Sequence, residues 1–202
     1  MLFRSDGYLK KAFELCKKHN VLFIADEIQT GIARTGKMLA CDHENVHADI
    51  LILGKALSGG MLPVSAVLAN DEIMLGIKPG EHGSTYGGNP MACRVAMTAM
   101  SVVIDEKLSE NAAYLGQILL SALKNIQSPL IHEVRGKGLF CAIDMHHDAK
   151  ISAWDVCMKL RDRGLLAKPT HDHIIRFAPP LVITEEQLLD CINIITTTFN
   201  EL

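Results

Sequence analysis

The sequence predicts an α/β fold in two parts. Residues 1–128 read as a partial large domain with a mainly parallel sheet and interdomain helices, and residues 129–202 as a small α+β domain. Three observations carry this expectation. Two short apolar runs, V-L-F-I-A at 21–25 and I-L-I-L at 50–53, have the length and branching of strands covered on both faces. Each run is followed at once by polar chemistry, Asp26 after the first and Gly54-Lys55 after the second. In parallel α/β sheets, ligands sit beyond the carboxyl ends of the strands. From Leu130 onward the rhythm changes to strand, turn, strand and then helix.

Composition narrows the classes. The 202 residues carry 20 Lys and Arg against 23 Asp and Glu, a net charge of −3, so there is no basic footprint for nucleic acid. No apolar run approaches the roughly 18 residues of a membrane span. The six cysteines, Cys16, Cys41, Cys93, Cys141, Cys157 and Cys191, form no C-x-x-C pair and read as small core residues of a reducing compartment. No metal is expected: His43 and His47 are four apart but lack a clear third ligand, and His171 and His173 are assigned no metal role. Residues 1–5 are too short and polar for a signal peptide and read as a scar or a truncation point, outside the fold argument.

Taken in order, residues 8–19 predict a helix, with Leu9, Ala12, Phe13 and Cys16 on one face and the basic end capped by Asn20. The strand at 21–25 follows, then a loop-rich stretch at 27–49, then the strand at 50–53. Residues 63–69 (P-V-S-A-V-L-A) predict a further strand beside it. Asn89 and Pro90 open a helix as N-cap and first residue; it runs to about residue 106 and, being rich in small side chains, is expected to pack closely. A second helix at 109–124 presents Ala112, Leu115, Leu119 and Ala122 on one face. In the small domain, Ser152 opens a helix that Gly164 closes, residues 165–167 and 174–178 predict short strands, and Thr184 with Gln187 forms the capping box of the last helix. Gly136 and Gly138 are not a dinucleotide fingerprint, because no G-x-G-x-x-G follows and no helix starts there.

Four features carry candidate chemistry. Lys55 stands at the mouth of an apolar strand, where burial lowers an amine pKa from roughly 10.4 by up to several units and leaves a nucleophile. Asp26 is either a turn residue or the partner of a buried cation. The loop at 78–89 (K-P-G-E-H-G-S-T-Y-G-G-N) holds four glycines and three hydroxyl residues, which suits a phosphate or simply a flexible surface loop. Arg176 lies inside the apolar run I-I-R-F-A, where a guanidinium needs an anion, from the protein or from a ligand carboxylate.

These motifs together resemble one family. Asp26-Glu27-x-Gln29-x-Gly31 after a strand, Gly54-Lys55-x-Leu57-x-Gly59-Gly60 after another, and His82-Gly83-Ser84-Thr85-Tyr86-Gly87-Gly88-Asn89-Pro90 are similar to the class III aminotransferases. The resemblance covers nearly the whole chain from Gly7 and implies the fold type I architecture of the pyridoxal 5′-phosphate (PLP)-dependent transferases. It implies that Lys55 attaches PLP and moves the substrate proton, and that Asp26 pairs with the protonated pyridine nitrogen. It also implies that Gln29 lies beside the ring hydroxyl, that Ser84 and Thr85 reach the cofactor phosphate of a neighbouring subunit, and that Arg176 clamps an α-carboxylate. The implied partners are an amino acid, a 2-oxo acid and a second copy of the chain, in a homodimer or larger homo-oligomer. The stretches I-A-R-T-G-K and 165–181 point to members that transfer the δ-amino group of ornithine, with acetylornithine or 4-aminobutyrate as alternative donors. The family's chain is longer, so this sequence is expected to be a C-terminal half, with a non-catalytic dimerisation unit as the reading from another class. The implied compartment is the mitochondrial matrix, with the cytoplasm as alternative.

Overall fold

A computed structural model describes residues 6–202; the scar expected at 1–5 lies outside the described residues. The chain forms two compact units, residues 6–109 and Glu110–Leu202.

In the first unit, α1 (Tyr8–Lys18) ends on Lys17 and Lys18, and Asn20 turns the chain with a left-handed φ of 53°. Leu9 and Phe13 of this helix pack on a small core of Ala25, Cys41 and Val46, and Phe13 meets Phe23 edge-on at 5.7 Å. Strand β1 (Ile24–Asp26) starts three residues later than the apolar run. The reason is Asp49, whose Oδ2 accepts from Phe23 N at 2.8 Å and whose own N donates to Phe23 O at 3.0 Å, so Phe23 is held by a clamp before any ladder begins. Strand β2 (Ile50–Leu53) runs parallel to β1, with Asp26 opposite Ile52. Strand β3 (Ala66–Ala69) pairs antiparallel on the other side of β2. The sheet is therefore mixed, and all four β2 residues are half-buried rather than covered on both faces. Ile24, Val67 and Leu68 are exposed.

After the short helix α2 (Asp71–Met74), α3 (Pro90–Asp105) begins where the sequence places it, with Asn89 Oδ1 accepting from Met91 N and Ala92 N. Within the unit one face of α3 packs on residues 55–58, and Gly59 approaches Ala99 of the helix, while the other face is exposed. Val103 is its buried residue, while Met91, Met97, Val102 and Ile104 are exposed.

The second unit is built on a four-stranded antiparallel sheet in the order β4-β5-β7-β6. Its strands are β4 (Ile131–Gly136), β5 (Cys141–Met145), β6 (Lys168–Thr170) and β7 (Ile174–Phe177). Its helices are α4 (Leu108–Lys124), α5 (Ala153–Asp162) and α6 (Glu185–Asn200). All five residues of β5 are buried. Ala112, Leu115, Leu119 and Leu123 of α4 join Ile143, Val156, Leu160, Leu188 and Ile195 in one core, which is why α4 groups with this unit. The predicted capping box of the last helix forms, with Thr184 Oγ1 accepting from Gln187 N and Gln187 Oε1 accepting from Thr184 N, and Ser152, expected only to open its helix, forms a second box with Asp155, its Oγ accepting from Asp155 N. The strand expected at 165–167 lies instead at Lys168–Thr170. Leu165 N closes back on Leu160 O at 2.9 Å and Leu165 and Ala167 pack on the core, so those residues finish the helix turn. No described helix is long and apolar enough to cross a membrane.

Gly116 marks the tightest packing of α4. A Cβ there would collide with the backbone of Gly138 in the β4–β5 turn. Gly116→Ala should therefore lower the stability of the chain by about 1–3 kcal/mol through overpacking, read as a shift of the urea midpoint; an unchanged midpoint would show that the turn yields freely.

Candidate functional site

The first unit brings two turns together at one edge of its sheet. In a parallel pair both strands end on the same side. β1 ends at Asp26 and β2 at Leu53, followed by Gly54 and Lys55. Glu27 N extends the ladder to Ile52 O at 2.9 Å. The turns also touch: a Cβ placed on Gly54 would stand 3.4 Å from Ile28, and one on Gly31 would stand 3.4 Å from Leu53.

Lys55 opens a 3-10 turn (Lys55–Ser58) with φ +46°. A lysine in the left-handed region is uncommon, and such strain collects at functional positions. Its side chain is exposed, not buried at the strand mouth as the sequence suggested, because Gly54 rather than Lys55 fills the space against Ile28. Its Nζ has no partner among the described residues. Lys37 and Lys78 differ: Lys37 Nζ donates to Asp42 O and Lys78 Nζ to Leu75 O.

Asp26 is exposed, and its Oδ1 accepts from Ile28 N at 3.1 Å. It is thus a turn residue whose second oxygen, Oδ2, stays open to a further donor. Gln29 is half-buried in the same turn, with its amide unpaired among the described residues.

The group that sequence reasoning missed is Glu27, quoted above only as part of a motif. It is 2% exposed. Its Oε1 accepts from Cys41 N at 2.8 Å and its Oε2 accepts from Thr30 Oγ1. This buried carboxylate fastens the loop that follows Asp26, where Ile32 and Ala33 are buried with positive φ. Burial first, and then the Glu27 charge, push the Cys41 thiol up to about 12, so it is inert. The only available signal was an acid directly after a strand, which is equally a surface turn.

Ser84 and Thr85 lie in a loop whose residues, 78–89, are all exposed. Ser84 Oγ accepts from Gly87 N at 2.9 Å, which folds the loop on itself. Tyr86 is 85% exposed.

Arg176 belongs to the second unit and is described there alone. It sits on β7, opposite Ala142 of β5 and Lys168 of β6. It is half-buried, less than its apolar neighbours implied, and its guanidinium stacks 5.9 Å from the Phe140 ring centre. That contact meets part of the need for an anion. No carboxylate among the described residues pairs with it. Arg176 and Lys168 line one open groove with Leu166, Ala178 and Pro180, a cationic edge on apolar walls.

His43 and His47 do not share a helix face; the 3-10 turn Ala40–His43 ends between them, and His43 Nε2 lies 3.1 Å from Thr35 O. All six cysteines are free.

Known proteins carry similar sequences and a similar fold. The family model described as Aminotransferase class-III matches residues 1–199. The chain is similar to the mitochondrial ornithine aminotransferase of Drosophila melanogaster, 63% identical over 194 residues, 96% of this chain and 44% of that protein. Among solved structures it is similar to the acetylornithine aminotransferase of Elizabethkingia anophelis, with TM-score 0.92, 63% identity, and coverage of 98% of this chain and 52% of that one. It is also similar to an ornithine aminotransferase of Toxoplasma gondii described with partial occupancy of PLP at its active site, with TM-score 0.93, 50% identity, and coverage of 96% and 46%. The chain spans less than half the length of such curated relatives.

Glu27 generates a test on stability alone. Glu27→Ala leaves the Cys41 N–H and the Thr30 hydroxyl without their acceptor, and each buried unsatisfied donor costs about 1–3 kcal/mol. Chemical denaturation should show a loss of about 2–5 kcal/mol for the first unit; a loss below about 0.5 kcal/mol would mean that water serves both donors.

Proposed function

Because this chain belongs to the class-III aminotransferase family, we propose that it carries part of a PLP-dependent active site that transfers the δ-amino group of L-ornithine to 2-oxoglutarate. The products are glutamate 5-semialdehyde and glutamate. The observation that supports this most directly is the pairing of an unpartnered Lys55 amine with an open Asp26 carboxylate oxygen at one edge of a parallel strand pair.

The residues present fit the cofactor's chemistry. An unpaired amine suits its aldehyde carbon, and an open carboxylate suits its protonated ring nitrogen. When bound, PLP supplies the electron sink for the carbanion formed at the substrate carbon. Lys55 Nζ would hold the cofactor and would serve as the base that moves the proton at the substrate carbon. Asp26 Oδ2 holds the proton on the ring nitrogen while Ile28 N keeps the carboxylate oriented through Oδ1. Gln29 offers its amide to the ring hydroxyl. Arg176 takes a substrate carboxylate through two parallel hydrogen bonds.

Ser84 and Thr85 act across a homodimer, reaching the cofactor phosphate of the second copy. The fully exposed 78–89 loop and the exposed apolar residues Met91, Met97, Val102 and Ile104 of α3 support such a partner, which would cover them. The names of the relatives support the mitochondrial matrix as the compartment. A second donor, acetylornithine, is favoured by one observation: the Elizabethkingia relative of that name is as identical to this chain as the Drosophila one. Product analysis in a full-length context separates the two, because ornithine alone yields the cyclising semialdehyde without an acetyl group.

Two outcomes test the assignment. Incubation with PLP, borohydride reduction and peptide mapping should label Lys55 alone. Label on Lys37 or Lys78 would move the site. In a full-length context, Arg176→Lys keeps the charge and loses the fork, so the KM for both amino acid and oxo acid should rise about tenfold or more, roughly 1.5–3 kcal/mol. Lys55 labelling should be unchanged in that variant. Lost labelling with a normal KM would make Arg176 a structural residue.

A further inference from the structure

At one end of the second unit's sheet lies a cluster that the proposed transamination does not use. Asp144 is the last residue but one of the buried strand β5, His147 lies in the connection that follows, and His173 sits in the turn before β7. One ligand atom from each of the three falls within 4.8 Å of the others. The two imidazoles lie against each other, tilted by 36° with ring centres 3.8 Å apart.

The state of the Asp144 carboxylate points to a ligand. The residue is 9% exposed. Oδ2 accepts from Arg135 Nη1 at 2.8 Å. Oδ1 is buried and has no hydrogen-bond partner, and His173 Nε2 lies 3.7 Å from it, beyond hydrogen-bond reach. A buried polar atom without a partner is rare and asks for an ion, a water or a ligand. Here it is an anionic oxygen aimed at two imidazole nitrogens.

We propose that Asp144, His147 and His173 form a binding site for a divalent transition-metal ion of the zinc class. The donor set is two nitrogens and one carboxylate oxygen, which suits Zn²⁺ with its bond lengths of about 2.0–2.2 Å. Three protein ligands leave a fourth position for water. Arg135 serves as the outer partner, holding the carboxylate by Oδ2 so that Oδ1 faces the ion. The framework is firm: Met145 N donates to His173 O at 2.8 Å, and Asp144 pairs with Ile174 in the β5–β7 ladder. The exposed ligand, His147, is the one that must move to close the site. A bound ion would clip the segment after β5 to the β6–β7 turn and stabilise this end of the sheet.

The chain, freed of metal with a chelator, is titrated with Co²⁺ and then Zn²⁺. One equivalent of Co²⁺ should give the visible bands of a four-coordinate ion, displaced by one equivalent of Zn²⁺, and Zn²⁺ should raise the thermal midpoint. His147→Ala and His173→Ala should each abolish the one-equivalent binding, whereas His132→Ala and His171→Ala should keep it. Arg135→Lys should weaken Zn²⁺ about 10–100-fold. Asp144→Asn tests the carboxylate, and if it fails to fold the exposed His147→Ala still decides. Absence of one-equivalent binding would overturn the proposal. So would binding that survives His147→Ala and His173→Ala, or that disappears on alkylation of the cysteines.

Discussion

Parallel pairing forces the carboxyl ends of neighbouring strands to one edge, and the first unit is arranged around that constraint. With Asp26 in register with Ile52, the turn after β1 and the turn after β2 have to meet. They do so through Ile28 against Gly54 and Gly31 against Leu53. The clamp of Asp49 on Phe23 sets where β1 begins, and Glu27, bonded to Cys41 N and Thr30, sets how the chain leaves it. A carboxylate in each position converts sequence neighbours of the strands into fixed geometry.

The two units spend their apolar residues differently. The second closes its own core, with β5 wholly buried and α4, α5 and α6 contributing to one cluster. The first has a core of a few residues and leaves apolar side chains on β1, β3 and α3 exposed. A surface of that kind is costly for a lone chain and calls for a cover, which the proposed second copy and the longer polypeptides of the relatives would supply. The same contrast separates two arginines on the sheet of the second unit. Arg135 is held by Asp144 and Glu133, whereas Arg176 rests on Phe140 and faces a groove. The first is committed within the fold; the second remains available to a ligand.

The sequence by itself determined the elements whose ends carry local chemistry. Asn89 with Pro90, Ser152 with Asp155 and Thr184 with Gln187 place helix starts because their hydrogen bonds close within three residues. It also determined the motif positions of Lys55, Asp26, Gln29, Ser84, Thr85 and Arg176, since residue identity and spacing need no third dimension. Only the tertiary structure decided burial and pairing. Lys55 is exposed because Gly54 takes the inner position, β3 runs antiparallel because the chain returns along β2, and α3 packs one face on residues 55–58 while Met91, Met97, Val102 and Ile104 stay exposed. Glu27 became visible as a buried anchor, and Asp144, His147 and His173 as neighbours, only when residues distant in sequence were brought within a few ångströms. Hydrogen bonds and ligand sets between separated segments depend on the packing of the whole sheet, and no local pattern encodes them.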